Sequence, residues 1–266
     1  MPITLSELHI YPVKSLGGIA LEKAAVTERG LEHDRRWMVV DPSGQLLTQR
    51  EHPKMATVWV DVGAGSLSLA APDRDTIDVA FDSALAPELR VQVWSSEVDA
   101  RAISGGADQW LSGHLGTPCR LVHMPDTTRR ACNPEFAGAD HVVSFADGYP
   151  FLVTNEASLA DLNKRAGTNL PMKRFRSNLV VRGAQAWAED NWKEFTIGEV
   201  RFKAAKPCGR CQVTTTDQAT GEVRGPEPLA TLSTFRDSQF GVLFGVNLIA
   251  LTGGVIRTGD RVVLQG

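Results

Sequence analysis

The chain has 266 residues, 42% hydrophobic and 22% charged, the composition of a soluble globular protein with a sizeable buried core. Its net charge of −3 gives no global basic field for nucleic acid, so any anionic ligand needs a local cluster of Arg and Lys. Four cysteines exclude a disulfide scaffold, and the opening "MPITLSELHIYPVKS" lacks the basic and apolar regions of a signal peptide.

The first hundred residues read as short strands divided by turns. "LSELHIYPV" is a strand closed by Pro12, and "RRWMVVDPSGQLLTQ" a hairpin with strands 36–40 and 45–49 around a D-P-S-G turn. "ATVWVDV", "GSLSLAA" and "LRVQVWSSEVDARAI" alternate with the period of two that strands require. Residues 107–116, "ADQWLSGHLG", predict a short helix separating two halves. The polar, proline-broken stretch 124–141 predicts a long exposed loop, of a length often used as a lid or docking surface. "EASLADLNKR" (156–165) is the clearest helix, with Leu159 and Leu162 three apart, acid early and base late. "SNLVVRG", "EFTIGEVRFKAA", "RCQVTTTD", "GVLFGVNLIAL" and "GGVIRTGDRVVLQ" then read as short β segments with glycine turns, the pattern of a closed or nearly closed barrel. The longest apolar tract, "FGVLFGVNLIALTGGVI", is broken by Asn247 and four glycines and predicts no membrane span. A cytoplasmic protein with reduced thiols is expected.

Residues 206–217, "KPCGRCQVTTTD", hold two cysteines three apart. Structural zinc takes four ligands, and Cys119 and Cys132, 13 apart, form no second knuckle. A redox pair needs its first cysteine at a helix start, whereas "QVTTTD" reads as a strand. Beside these two weaker readings stand two others: small buried hydrophobes, against which Pro207, Gly209 and Arg210 favour an exposed turn, and a single thiolate offered to a soft metal that brings most of its own ligands, with the adjacent arginine favouring the thiolate.

Bases recur in "PVKS" (12–15), "EHDRRW" (32–37), "KRFRSN" (173–178) and "CGRC" (208–211). Taken singly each reads as a solvated surface group. Together they sit at the ends of predicted strands, where the loops of a barrel converge, and arginine forks gathered there would grip phosphate oxygens. The Asn178 amide, both donor and acceptor, could read a heterocycle edge. Phosphate-loop, dinucleotide-binding, H-E-x-x-H and G-x-S-x-G motifs are absent. His9 and His52 read as structural or solvated, Trp187 and Trp192 as packing groups at a hairpin edge.

Taken in order, "YPVKSLGG", "GLEHDRRWMVVD", "FLVTNEASLADLN", "FRSNLVV", "CGRCQVTTTD" and "GDRVVL" resemble the MOSC family, and within it the amidoxime-reducing components and their bacterial YcbX-like relatives. The resemblance implies a mainly β fold with some helix (α+β), an N-terminal β-barrel domain over 1–105 followed by a MOSC domain over 106–266. It implies a molybdenum cofactor, Mo-molybdopterin, whose metal takes one protein cysteine. By motif position that ligand is Cys211, with Cys208 the second choice. Lys14, Ser15, Arg35, Arg176, Asn178 and Arg210, and more weakly Tyr149, map to positions that hold the phosphate and pterin. The family's known activity implies two-electron reduction of a small N-hydroxylated substrate, with Asp217 and His33 as candidate proton carriers. The chain shows neither an iron–sulfur C-x₄-C-x₂-C run nor a membrane anchor, so the expectation is a soluble enzyme that takes electrons from a separate donor protein. The alternative is a cofactor carrier or a persulfide sulfur-transfer module using the same cysteine.

Overall fold

The computed structural model describes residues 2–72, 74–81, 87–103 and 105–265. In chain order, β1 (Thr4–Ile10), β2 (Ile19–Leu21), β3 (Lys23–Thr27), β4 (Gly30–Leu31) and β5 (Trp37–Val40) come first. A meander of β6 (Trp59–Val62), β7 (Ser66–Ala71) and β8 (Arg74–Ala80) follows, then the hairpin of β9 (Glu88–Val93) and β10 (Ser96–Ala102). Next are α1 (Gly105–Leu115), β11 (Arg120–His123), the short α2 (Pro134–Ala137), β12 (Phe151–Asn155), α3 (Glu156–Ala166) and β13 (Leu179–Arg182). The last elements are β14 (Glu194–Ile197), β15 (Val200–Gly209), α4 (Leu229–Ser233), β16 (Leu243–Ala250), β17 (Gly254–Arg257) and β18 (Val262–Gln265). This is the mainly β fold with some helix that the patterning predicts.

An eight-stranded sheet runs β18-β14-β15-β16-β12-β13-β1-β2. Its two ends meet. Leu5 N–H donates to Asp260 O (2.9 Å), Gly259 N–H to Leu5 O (2.7 Å) and Val262 N–H to Ile3 O (2.9 Å), so a strand from the N-terminus closes the barrel built by the C-terminal half. Inward-facing residues of alternate positions fill it, among them Leu5, Leu8, Val153, Val181, Ile197 and Leu248. At its centre Phe202 meets Phe151 edge-on at 5.3 Å and stacks on Phe195 at 5.9 Å. A second core lies under the meander, where Leu111 of α1 packs with Trp37, Leu67, Leu69 and Leu121. The sheet β5-β11-β10-β9 and the sheet β17-β3-β4 complete the fold. The chain therefore crosses the 105/106 division in both directions: β1 and β2 join the C-terminal sheet, and β11 joins the N-terminal one.

Three local expectations are corrected. In the 36–49 hairpin the second arm meets the first through a single Val40–Leu46 bridge, because it also turns to β9, where Leu46 N–H donates to Gln92 O (3.1 Å) and Gln92 N–H to Gly44 O (2.9 Å), while the Gln49 side-chain amide is drawn to Ser15 O (2.7 Å). The 124–141 stretch is not simply exposed: Thr128, Arg130, Cys132 and Ala137 are buried. Arg130 donates to the carbonyls of Ser144 (2.9 Å), Ala146 (2.5 Å) and Asp147 (2.9 Å), which pins this stretch under the next loop. The residues after Cys211 form a 3-10 turn, Gln212–Thr215, where a strand is expected. Thr214 and Thr215 bend the backbone by donating their hydroxyls to Cys211 O (3.0 Å) and Gln212 O (2.8 Å).

The clearest expected helix, α3, is capped by the Asn155 side chain, which accepts from Ala157 N–H, and ends at Gly167 in the left-handed region (φ 62°). Glu189, fully buried, ties this end of the helix down by accepting from Ser158 Oγ (2.7 Å) and Asn155 Nδ2 (3.2 Å). Burial raises its carboxyl pKa even against these bonds. The folded chain then holds this proton more tightly than the unfolded chain, so stability falls as pH rises from the unfolded to the folded pKa and stays low above it. Glu189→Gln removes that titration. Thermal melts of the two proteins should show the variant gaining on wild type as pH rises above the ordinary carboxylate range; an offset that stays constant with pH would contradict the raised pKa.

Candidate functional site

A cleft opens where the turn after β1, the turn before β5, the start of β13 and the end of β15 meet. Lys14, Ser15, Arg35, Tyr149, Arg176, Asn178, Cys208, Arg210 and Cys211 line it together. Backbone bonds put them there. Lys14 N–H donates to Trp37 O (2.8 Å), Arg35 N–H to Tyr11 O (2.9 Å), and Asn178 N–H to Leu152 O (3.0 Å). Arg210 N–H donates to Val242 O (2.7 Å), and Gly209 is required beside it, because a Cβ there would lie 2.0 Å from Phe240 O. Cys211 follows in extended backbone as the cap of the 3-10 turn.

Local strain concentrates here. Six non-glycine residues have positive φ among the described residues, and four of them line the cleft: Ser15 (70°), Arg35 (48°), Trp94 (55°) and Arg176 (53°). Each such conformation costs on the order of 1 kcal/mol and persists only where surrounding contacts impose it. Those contacts are visible. Arg35 donates to Asp34 (2.6 Å), Asn178 Oδ1 (3.1 Å) and Arg176 O (3.1 Å), and Arg176 donates to Leu16 O (2.7 Å). Both guanidiniums lie over the Tyr11 ring, that of Arg35 at 4.4 Å and that of Arg176 at 4.2 Å from its centre. The Asn178 amide gives its donor to His9 O (3.1 Å) and its oxygen to Arg35, so it orients an arginine where a heterocycle edge is expected.

Five cations line the cleft (Lys14, Arg35, Arg50, Arg176 and Arg210) against one carboxylate, Asp147. Burial lowers the Lys14 pKa, and Asp147 at 2.5 Å works to keep its charge. Crowding by the cleft walls would raise the carboxyl of Asp147, whose side chain is nonetheless exposed, but Lys14 and the Trp94 Nε1–H (3.0 Å) hold it well below the usual range. Arg176 is brought down to about 10, by burial and then by Arg35, and remains a cation at neutral pH. Burial pushes the Tyr149 phenol up to about 12, so it keeps its proton. Arg210 donates to Cys208 Sγ (3.0 Å) and to Phe175 O (2.5 Å), while its buried Nε has no partner.

Two candidate proton carriers stand elsewhere. Asp217 is not among the lining residues: it accepts from the backbone N–H of Ala219 (2.9 Å) and Thr220 (3.2 Å), which cap its turn and lower its pKa, and it faces Arg174 at 3.7 Å. His33 packs against Phe81 (5.2 Å) and Trp37 (6.3 Å) and lines a separate groove. Sequence reasoning missed Asp147, Thr48, Arg50 and Trp94, all of which line the cleft. Trp94 did carry a signal: it occupies the tight β9–β10 turn, a place for Asn or Gly, at positive φ.

The cleft is no metal cage. Among the described residues, no group of three or more His, Cys, Asp and Glu stands where it could hold a metal ion. Its lining offers instead a cationic wall for an anion and two thiols as the soft donors.

The chain matches the MOSC N-terminal beta barrel domain over residues 2–118 and the MOSC domain over residues 140–263. It is 35% identical over 281 residues to the mitochondrial amidoxime-reducing component 1 of Mus musculus, covering 99% of this chain and 82% of that protein. The Homo sapiens protein of the same name is 32% identical, with 99% and 83% covered. A molybdenum cofactor sulfurase of Oryza sativa subsp. japonica is 31% identical over 92% of this chain and 32% of its own length. Two consecutive domain matches and relatives of this closeness make the chain a member of the MOSC family, related over nearly its full length to the amidoxime-reducing components.

Proposed function

We propose that this protein is a molybdenum-cofactor-dependent reductase of N-hydroxylated compounds that takes its electrons from a separate donor protein. The observation that carries the reading is the convergence of Lys14, Arg35, Arg176 and Cys211 on one cleft, although 197 positions separate the first from the last. The donor set fits the group. Cationic side chains and the Ser15 hydroxyl suit a phosphate-bearing pterin, and the unpartnered Arg210 Nε is one further buried donor beside the thiols. With no cluster of protein ligands among the described residues, a metal here would arrive carrying most of its own, and a single thiolate would complete the set.

In this reading Cys211 supplies the protein thiolate. Arg35, Arg176, Arg210, Lys14 and Ser15 hold the phosphate and pterin, and Asn178 acts by orienting Arg35. When bound, the cofactor supplies a two-electron redox centre that accepts oxygen. Reduction consumes two electrons and two protons per N–O bond broken and releases water. The lining cations provide fixed positive charge where negative charge gathers, a contribution of preorganised electrostatics. Tyr149, protonated throughout the physiological range, offers an O–H donor in the cleft; Asp217, capped in its turn, does not reach it. We place the protein in the cytoplasm; no helix among the described residues is long and apolar enough to cross a membrane. The relationship to a molybdenum cofactor sulfurase supports one alternative, a carrier or persulfide-bearing module that uses Cys211 without reductase activity.

Metal analysis of protein from a cofactor-competent host, beside dye-driven reduction of benzamidoxime, decides between them. Stoichiometric molybdenum with turnover supports the enzyme; sulfane sulfur on Cys211 without turnover supports the module. Cys211→Ala should lower reduction about a hundredfold or more, and Cys208→Ala should leave most of it. Equal losses in the two variants would undo the ligand assignment. Arg176→Ala should reduce molybdenum per chain about tenfold while turnover per bound metal changes much less, and unchanged occupancy would count against an anion-gripping role.

A further inference from the structure

Tyr11 stands just outside the lining of the cleft and makes no part of the reading above. It is 4% exposed, and it is held from every side. Its hydroxyl donates to Ser177 O (3.2 Å), its N–H donates to Asp34 Oδ1 (2.8 Å), and its carbonyl accepts from Arg35 N–H (2.9 Å). Gly18 packs on the ring so closely that a Cβ there would lie 2.4 Å from Tyr11 Cε1. The ring is thus held in place with two guanidiniums against it, at 4.4 Å and 4.2 Å from its centre.

Two neighbouring guanidiniums repel, and both Arg35 and Arg176 sit in left-handed backbone that neither would choose alone. An aromatic ring attracts each cation and so fixes the place of both relative to itself. We propose that Tyr11 is a positioning residue: its ring spaces Arg35 and Arg176 so that the pair grips a single phosphate-type anion. The proposal rests on reading the cleft as the site of a phosphate-bearing cofactor. It assigns the work to the ring, not to the hydroxyl, because the ring is what contacts both cations.

Wild type, Tyr11→Phe, Tyr11→Leu and Gly18→Ala test this, each prepared as the full chain from a cofactor-competent host. Molybdenum and pterin per chain are measured, and the cofactor-free fraction is titrated with inorganic pyrophosphate. Tyr11→Phe should bind pyrophosphate within about threefold of wild type, whereas Tyr11→Leu and Gly18→Ala, the latter by displacing the ring, should bind about tenfold more weakly. On an Arg176→Ala background, Tyr11→Leu should add little, since its partner is already gone. Tyr11→Leu binding like wild type, losses that simply multiply, or Tyr11→Phe losing tenfold would each overturn the proposal. Should Tyr11→Leu fail to fold, Tyr11→Phe and Gly18→Ala carry the comparison. A wild type that binds pyrophosphate under Tyr11 control but never carries molybdenum sinks the cofactor reading and leaves this inference standing. A loaded wild type with an equally loaded Tyr11→Leu does the reverse.

Discussion

The antiparallel pairing of β1 with β13 is the constraint on which the rest of the molecule rests. Its register, Leu8 opposite Leu179 and Thr4 opposite Arg182, places the first strand of the chain into a barrel otherwise made by the last hundred or so residues. The pairing closes that barrel and buries Leu5, Leu8 and Ile10 in its core. It also fixes where β1 ends. The turn that follows carries Tyr11 and Leu16 directly against Arg176 and Ser177, which precede β13, and brings Lys14 and Ser15 into the same cleft. A barrel interior and a binding cleft thus come from one set of backbone bonds. A β-bulge between Leu5 and Glu7 shifts the register there, so that Leu5 and Leu8, three positions apart, both face the core; on either side of it a further slip by one residue would turn the buried side chains outward.

The cleft itself is a case of polar groups organised against their own preferences. Like charges are brought together, bulky residues take left-handed backbone, and a tryptophan fills a turn where glycine or asparagine is favoured. What offsets these penalties is a dense set of contacts to fixed groups: Asp34 behind Arg35, Asp147 beside Lys14, the Tyr11 ring against two arginines, and backbone carbonyls facing the guanidiniums of Arg35, Arg176 and Arg210. Arg130, from the stretch before β12, extends the same logic outward by holding the loop that presents Asp147. A site preorganised in this way needs little rearrangement to accept an anion, which is what makes electrostatic stabilisation effective.

Much of this is legible along the chain. The alternating strands, the helix capped by Asn155 and ended at Gly167, and the four basic stretches at strand ends follow from local rules. The misreadings share a cause. "QVTTTD" has the β-branched composition of a strand, but its threonine hydroxyls reach back three residues and make a 3-10 turn. Gln49 looks like the end of a hairpin arm until Ser15, 34 positions away, offers it a carbonyl. Asp217 looks like an acid next to a reactive cysteine until two local N–H groups occupy it.

From composition, periodicity and motif order the sequence alone determined the β-rich class, the absence of common phosphate-loop and dinucleotide motifs, and which cations and thiols to watch. Those properties are local: they depend on side-chain type, on a period of two, and on neighbours a few positions apart. Only the tertiary structure decided that the N-terminal strand closes the C-terminal barrel, that Trp94, Arg50 and Asp147 share the cleft with Cys211, and that Tyr11 packs against two arginines. Each of these is a contact between residues tens to hundreds of positions apart. Such contacts are set by burial and register across the whole fold, so no window of the sequence contains them.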